Sequence, residues 1–298
     1  MASELNHHKA SLVFGAEAIL GEGPVWDQRN QVLYWVDIEQ GTLHAHNPSD
    51  NSNQQWHFDE MLGAAVPTDN GNMLLALETG LAVFHFGKST IDRLGVLENE
   101  DAELRFNDGK CDPNGNFWVG TMHKELQAGK GNFYRVTPAL NSSLQIPGTT
   151  ISNGMAWSPD RSTFYYIDTG DYYVRAYDYE LSNSSITNER VLFKIPDAYG
   201  GPDGMTIDSE GKLWIAHWGG ACVRRWDPLS GKVLERIAVN APHVTSCCFA
   251  GPELNMLYIT TARSGLTREQ LAQFPDSGGL FAFKTGVSGL KTNFFKDH

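Results

Sequence analysis

Four residues with oxygen-bearing side chains lie far apart in the sequence, each one or two positions before a glycine: Glu22, Asn107, Asn153 and Asp203. Two carboxylates and two amides form an all-oxygen set that suits Ca²⁺, Mg²⁺ or Mn²⁺ and can also hold Zn²⁺ or Fe²⁺. An isolated buried carboxylate is costly and two would repel each other, and a cation between them removes both problems. If the fold brings them together, these residue types indicate a divalent cation site.

A short pattern recurs along the chain and predicts the elements that would position these residues. Each copy runs from a turn residue to an apolar residue, an aromatic or apolar residue, and a β-branched or small residue. The central apolar position recurs at intervals of 40 to 49 residues. Its six occurrences are Leu33, Met73, Phe117, Phe164, Leu213 and Leu257. Further strand-like segments flank each copy, giving the three or four short strands that are typical of a β-propeller blade.

The repeat therefore predicts an all-β fold, a six-bladed β-propeller with a metal site on the central axis. Length alone favours two domains, but six units without a linker predict one domain over residues 1–298. The strand at 11–14 has no local partner, so we expect it to complete the last blade and remove an exposed edge. Residues 267–274 are the exception, with a short helix predicted. A pair of β-sandwiches with accidental regularity is the alternative.

The phase of the repeat explains why the four polar residues should meet. In a propeller, the first strand of every blade lines the channel. The residue 10 or 11 positions before each central apolar residue falls at the same end of that strand in every blade. Those residues are Glu22, Gly63, Asn107, Asn153, Asp203 and Ser246. The alternative is that Glu-Gly, Asn-Gly and Asp-Gly are only turn dipeptides.

Composition excludes several classes of protein. The net charge of −12 and the pI of about 5.2 argue against a nucleic-acid binder and against binding to an anionic membrane surface. With 41% hydrophobic and 19% charged residues, the chain has enough apolar material for a core. No apolar run is long enough to span a membrane, and the N-terminus lacks the pattern of a signal peptide. A cytoplasmic location is the expectation.

Several ordered motifs give the chain a resemblance to a known family. They include LGEGPVWD (20–27), RFNDGKCDPNGNFWVGTM (105–122), ISNGMAWSPD (151–160) and GPDGMTIDSEGKLWIAHWGG (201–220). Over about residues 12–285 the sequence resembles the SMP-30/gluconolactonase/regucalcin-like family. The resemblance implies a six-bladed propeller that hydrolyses sugar lactones with a divalent metal on its axis.

Roles at the metal also follow from the resemblance. It implies that Glu22, Asn153 and Asp203 bind the metal and that Asp203 is also the general base. Asn107 would contact substrate and could touch the metal, directly or through water. Ca²⁺ is the expected ion, with Zn²⁺, Mn²⁺, Mg²⁺ and Fe²⁺ as alternatives.

The remaining predicted substrate contacts are Arg105, Glu125 and His123. Arg105 and Glu125 match family positions, whereas His123 occupies a position where members of the family vary. Arg105 would hold sugar hydroxyls or the ring-oxygen region with its rigid fork of donors, and the other two would hydrogen-bond hydroxyls.

The predicted function is metal-dependent hydrolysis of a sugar (aldono) lactone to the aldonic acid by a carboxylic-ester hydrolase of the gluconolactonase type. The partner is a small-molecule sugar lactone, with no nucleic acid and no membrane. A closed ring has no edge that requires a second subunit, so a monomer is expected. Two alternatives remain open: a Ca²⁺-binding regulatory protein without significant turnover, and a phosphotriesterase-like hydrolase that uses the same site.

Overall fold

The computed structural model describes residues 7–98 and 101–297. The prediction that the N-terminus holds no signal peptide concerns residues 1–6 in part, and these lie outside the described residues. As predicted, the architecture is all-β.

The described strands of the first half of the chain are β1 (His7–Lys9), β2 (Ser11–Phe14), β3 (Gly21–Asp27), β4 (Val32–Asp37), β5 (Thr42–Asn47), β6 (Ser52–His57), β7 (Leu62–Pro67), β8 (Met73–Leu77), β9 (Gly80–His85), β10 (Thr90–Arg93), β11 (Leu104–Cys111), β12 (Phe117–His123), β13 (Gly131–Val136) and β14 (Ser142–Thr149). Those of the second half are β15 (Ser152–Trp157), β16 (Thr163–Asp168), β17 (Tyr173–Glu180), β18 (Ser185–Lys194), β19 (Gly201–Ile207), β20 (Leu213–Trp218), β21 (Cys222–Asp227), β22 (Lys232–Ala238), β23 (His243–Ala250), β24 (Met256–Ala262) and β25 (Leu280–Lys284).

Hydrogen bonding corrects the predicted count of six blades. In the described part of the chain, β3–β6, β7–β10, β11–β14 and β15–β18 form four separate four-stranded sheets, but the other nine strands form a single sheet. Trp218 of β20 pairs with His243 of β23, and β1 adds to β22 in parallel. The repeat predicts strands within a unit, whereas hydrogen bonds between units depend on how far individual strands extend.

The sheets are arranged in a propeller-like way around a channel. The first strand of each repeat unit packs against the first strand of the next, in the order β3, β7, β11, β15, β19 and β23, and β23 returns to β3. Near the N-terminus, β2 pairs antiparallel with β25. This closed arrangement brings residues that are distant in sequence to one channel.

Buried tryptophans hold neighbouring strands of a unit together. The indole Nε1 of Trp118 donates to Asp112 Oδ2 at 2.9 Å, and that of Trp214 donates to Asp208 Oδ2 at 2.9 Å. Both indoles are fully buried. Each pair satisfies a buried donor with a carboxylate that lies six residues earlier, before the turn that leads into the strand of the tryptophan, so these acids are structural.

One short α-helix and one 3-10 helix lie between strands in the described part of the chain. The short helix predicted at 267–274 is confirmed as α1 (Arg268–Gln273), and a capping box between Thr267 and Gln270 closes its N-terminus. A 3-10 helix covers Asp197–Tyr199. Among the described residues, no helix is long and apolar enough to cross a membrane.

Candidate functional site

Every first strand is interrupted by a bulge at the same level of the channel. The pairing register shifts at Glu22/Val25, Leu62/Ala64, Phe106/Gly109, Asn153/Met155, Pro202/Met205 and Val244/Ser246. A bulge bends its strand and redirects a side chain, and bulges are common beside active sites. The predicted site residues Glu22, Asn107, Asn153 and Asp203 all lie at these irregular positions.

Glycine lets neighbouring bulges approach closely. A Cβ on Gly154 would lie 2.6 Å from the carbonyl oxygen of Asp203, and one on Gly204 would lie 2.1 Å from Ser246 Oγ. Both distances are too short for any other residue, so glycine is required after Asn153 and after Asp203. The glycines that marked these positions in the sequence therefore allow β15, β19 and β23 to pack at the channel.

Glu22 and Asp203 form a buried pair of carboxyl groups that interact electrostatically with each other. Burial is the main cause that raises the pKa of Glu22 well above its usual value, and the charges of Asp203 and Asp108 raise it further. Burial also raises the pKa of Asp203 to about 7, although a hydrogen bond with Asn153 opposes the rise. Without a counter-charge, the two carboxyl groups oppose each other's ionisation.

Asp108 is a third buried carboxyl group near this pair. It is 4% exposed, and its Oδ2 has no hydrogen-bond partner among the described residues. Burial raises its pKa, while Lys110 opposes the rise. In the sequence, only its position directly after Asn107 indicated that Asp108 could lie near the site. The structure adds a bulge at Phe106/Gly109, which redirects consecutive side chains.

Asn153 is held in a fixed orientation by its neighbours. Its Nδ2 donates to Thr169 Oγ1 at 3.1 Å, and the Thr169 hydroxyl donates to the Pro202 carbonyl at 2.7 Å. Its Oδ1 accepts from the backbone N–H of Gly154 at 3.2 Å. Thr169 was missed in the sequence because it follows the second strand of its unit, outside the repeat position that marked the other residues.

Arg105 and Asn107 form a second part of the site. Arg105 Nη1 donates to Asn107 Oδ1 at 2.7 Å and to the Phe106 carbonyl at 2.9 Å. Asn107 Nδ2 donates to the Ser152 carbonyl at 2.9 Å, beside Asn153. Burial lowers the pKa of Arg105, and the charges of Glu22 and Asp203, among others, counteract this. The guanidinium therefore lies within the field of the carboxyl pair.

His123 and Glu125 are less clearly part of this cluster. His123 is buried, with Nε2 at 3.1 Å from Glu103 Oε2 and Nδ1 accepting from the backbone N–H of Glu125 at 3.0 Å. Both ring nitrogens are thus engaged within the loop. The side chain of Glu125 is exposed in the turn after β12. Their predicted contacts with substrate stay predictions.

The donor chemistry fits a hard divalent cation. Glu22 and Asp203 are buried together with Asp108 nearby, and a cation would neutralise this excess of acid. Asn153 lies beside Asp203, so its amide oxygen could join the carboxylates. The Asn107 oxygen already accepts from Arg105. In the described part of the chain, no three His, Cys, Asp or Glu side chains form a group that could hold a metal.

The sequence model described as SMP-30/Gluconolactonase/LRE-like region matches residues 20–263. The chain belongs to this family. The matched range contains all seven predicted site residues and ends before the C-terminal segment.

Relatives of the family align over nearly the whole chain. A protein of Bacillus subtilis (strain 168) with the provisional name sugar lactone lactonase YvrE is 34% identical over 284 residues, covering 95% of this chain and 97% of its own. Regucalcin of Gallus gallus is 35% identical over 277 residues, covering 91% and 93%. The crystal structure of a calcium-binding regucalcin from Agrobacterium tumefaciens str. C58 superposes with a TM-score of 0.93 at 25% identity, covering 99% of each chain. The predicted family is confirmed.

Proposed function

We propose that this family member is a lactonase that hydrolyses a sugar lactone to the aldonic acid with the help of one divalent cation. The observation that carries the proposal is the buried carboxyl pair of Glu22 and Asp203 in the field of Arg105. A proton acceptor and a fork of fixed donors beside it are the groups that ester hydrolysis of a polyhydroxy substrate needs. The similarity to a protein named sugar lactone lactonase supports the same reaction class.

Asp203 acts as the general base in this proposal. The carboxylate accepts a proton from the water that attacks the lactone carbonyl carbon. When the tetrahedral intermediate collapses, the bond between that carbon and the ring oxygen breaks, and the ring oxygen takes up the proton. Without a cation, burial raises the pKa of Asp203 to about 7, and a bound cation would lower it again, so that the carboxylate is ionised and can accept a proton at neutral pH.

Glu22, Asp203 and Asn153 would hold the cation, and Ca²⁺ is the ion we propose because oxygen donors suit it. When bound, the cation supplies Lewis acidity and positive charge that favour the oxyanion of the intermediate. Asn153 is oriented for this purpose by Thr169. Arg105 and Asn107 orient the hydroxyl groups of the substrate, since their hydrogen bond fixes both side chains.

A panel of sugar lactones tests the proposed reaction. Purified protein with and without a chelator is mixed with gluconolactone, galactonolactone, xylonolactone and arabinonolactone, and acid release is followed in weak buffer. We expect turnover of at least one lactone, loss of that turnover with chelator, and recovery on adding Ca²⁺. Calcium binding without turnover of any lactone would contradict the proposal and point to a calcium-binding role.

Replacing Arg105 by Lys is expected to raise KM about tenfold or more with a smaller change in kcat, because Lys lacks the planar fork that holds two hydroxyls. Steady-state kinetics on the best lactone measure both constants. Arg190→Lys is the control, since Arg190 pairs with Asp178 on the surface. A fall in kcat at constant KM would instead assign Arg105 a role confined to the transition state.

We also propose that the chain acts as one domain. Strands β1 and β2, near the N-terminus, belong to the same nine-stranded sheet as β25. Cutting the chain between units would therefore expose strand edges in each part.

A further inference from the structure

A cavity of about 350 Å³ lies at the other end of the channel. One wall residue, Ala156, stands three positions after Asn153 on the same strand. Another, Thr206, stands three positions after Asp203. Because a strand rises about 3.3 Å per residue, the cavity lies about 10 Å further along the channel than the candidate active site. Its size falls in the usual range for small-molecule sites.

The C-terminal segment closes part of this cavity. Residues 290–293 line it. Asn293 Nδ2 donates to the Cys111 carbonyl at 3.3 Å, and Gln28 Nε2 donates to the Thr292 carbonyl at 3.0 Å. These hydrogen bonds tie the segment to two different sheets. The segment lies outside the range that the family's sequence model matches, so this wall belongs to a part of the chain that the family match does not describe.

The charge of the cavity is opposite to that of the whole protein. The described residues that line it include Lys110, Arg161 and Lys291 and no Asp or Glu, although the chain carries a net charge of −12. Arg161 and Lys291 are exposed. Three cations without an acidic wall residue favour an anionic ligand.

Lys110 marks the inner end of the cavity. Its Nζ donates to the Met155 carbonyl at 3.3 Å and to the Met205 carbonyl at 2.5 Å. An ammonium group has three donors, so one remains for a ligand. The buried Asp108 interacts electrostatically with Lys110 from the side of the candidate active site and offsets part of its charge. The two exposed cations therefore carry most of the attraction.

The rest of the wall is largely apolar. Val66 and Phe249 contribute apolar surface, and the buried indoles of Trp26 and Trp157 also line the cavity. Such a wall suits a ligand with an apolar, aromatic body.

We propose that this cavity is a second ligand site, distinct from the candidate active site, that takes a small aromatic carboxylate. The aromatic body packs between the apolar wall residues, and the carboxylate is attracted by Arg161 and Lys291.

Calorimetric titration with phenylacetate and with its neutral isostere phenylacetamide tests the site. We expect phenylacetate to bind with a Kd of about 1 mM or tighter and the amide to bind at least about tenfold more weakly. Affinity should fall as sodium chloride is raised, since the mouth cations are exposed. Equal binding of the two compounds, or no binding of either, would overturn the proposal.

Variants locate the ligand. Arg161→Glu combined with Lys291→Glu should weaken phenylacetate binding at least about tenfold, whereas Lys88→Glu, an exposed charge reversal outside the cavity, should leave it unchanged. Ala156→Leu should reduce binding by filling the cavity, with circular dichroism to confirm that the variant is folded. If Asp203→Asn abolishes binding while the double variant does not, the ligand occupies the candidate active site and the proposal is wrong.

Discussion

Replacing Asp203 by Asn or Ala is expected to lower kcat for lactone hydrolysis by about a hundredfold to ten-thousandfold, the usual contribution of a general base. Asn keeps the shape and one oxygen but cannot accept a proton. In the unsubstituted, metal-loaded protein, kcat/KM should rise with pH at a midpoint below 7, because the protonated carboxyl is inactive and the pKa of about 7 that burial gives Asp203 applies without a cation. A bound cation would move this rise to lower pH, since a positive charge favours the ionised form.

Asp208→Asn is the matched control for that result. Asp208 is a fully buried carboxylate of the same repeat unit, but its partners are Trp214, Arg225 and backbone N–H groups. Its substitution should lower the free energy of unfolding and leave kcat per folded molecule nearly unchanged. The residual kcat/KM of Asp203→Asn should no longer fall as the pH is lowered. If Asp203→Asn retains full kcat and its kcat/KM still falls at acidic pH as in the unsubstituted protein, the base is another residue.

Metal-free protein is expected to lose stability as the pH rises, and calcium should reverse the loss. Burial raises the pKa of Asp203 from 3.8 to about 7 in the folded state, and it raises the pKa of Glu22 as well. The folded state therefore holds protons that the unfolded state releases. The stabilisation is complete below about pH 4 and disappears as the pH passes through about 7. The change in the free energy of unfolding should be on the order of 2–4 kcal/mol.

Thermal unfolding with a chelator and with excess Ca²⁺, at about pH 5 and about pH 8, measures this effect. Calcium binds the ionised pair, so the rise in Tm that it causes should be larger at the higher pH. Asp203→Asn should flatten the pH dependence and reduce the calcium effect, whereas Asp178→Asn, at an exposed carboxylate of β17, should change neither. A calcium effect that is independent of both pH and Asp203 would place the ion elsewhere.

Patterns in the sequence were sufficient for the all-β architecture, for the short helix α1 and for the family. The repeat located the central strands because short apolar runs and turn residues are local properties. It also pointed to Glu22, Asn153 and Asp203, because a fixed offset from each central strand corresponds to one level of the channel.

The sequence could not reveal that hydrogen bonds join neighbouring units into one sheet. The pairing of Trp218 with His243 merges two units into the nine-stranded sheet, and this depends on the relative placement of whole strands. The burial of Asp108 near the carboxyl pair also required the structure, because a bulge redirects consecutive side chains.

By itself the sequence determined which residues form strands and which residues could supply oxygen ligands and donors. Only the tertiary structure decided that Glu22 and Asp203 are buried as a pair, that Arg105 is held by Asn107 rather than free, and that Lys110 lines a second, cationic cavity. The physical reason is that pKa values and cavities arise from burial and from distances between strands of different units, which no local pattern encodes.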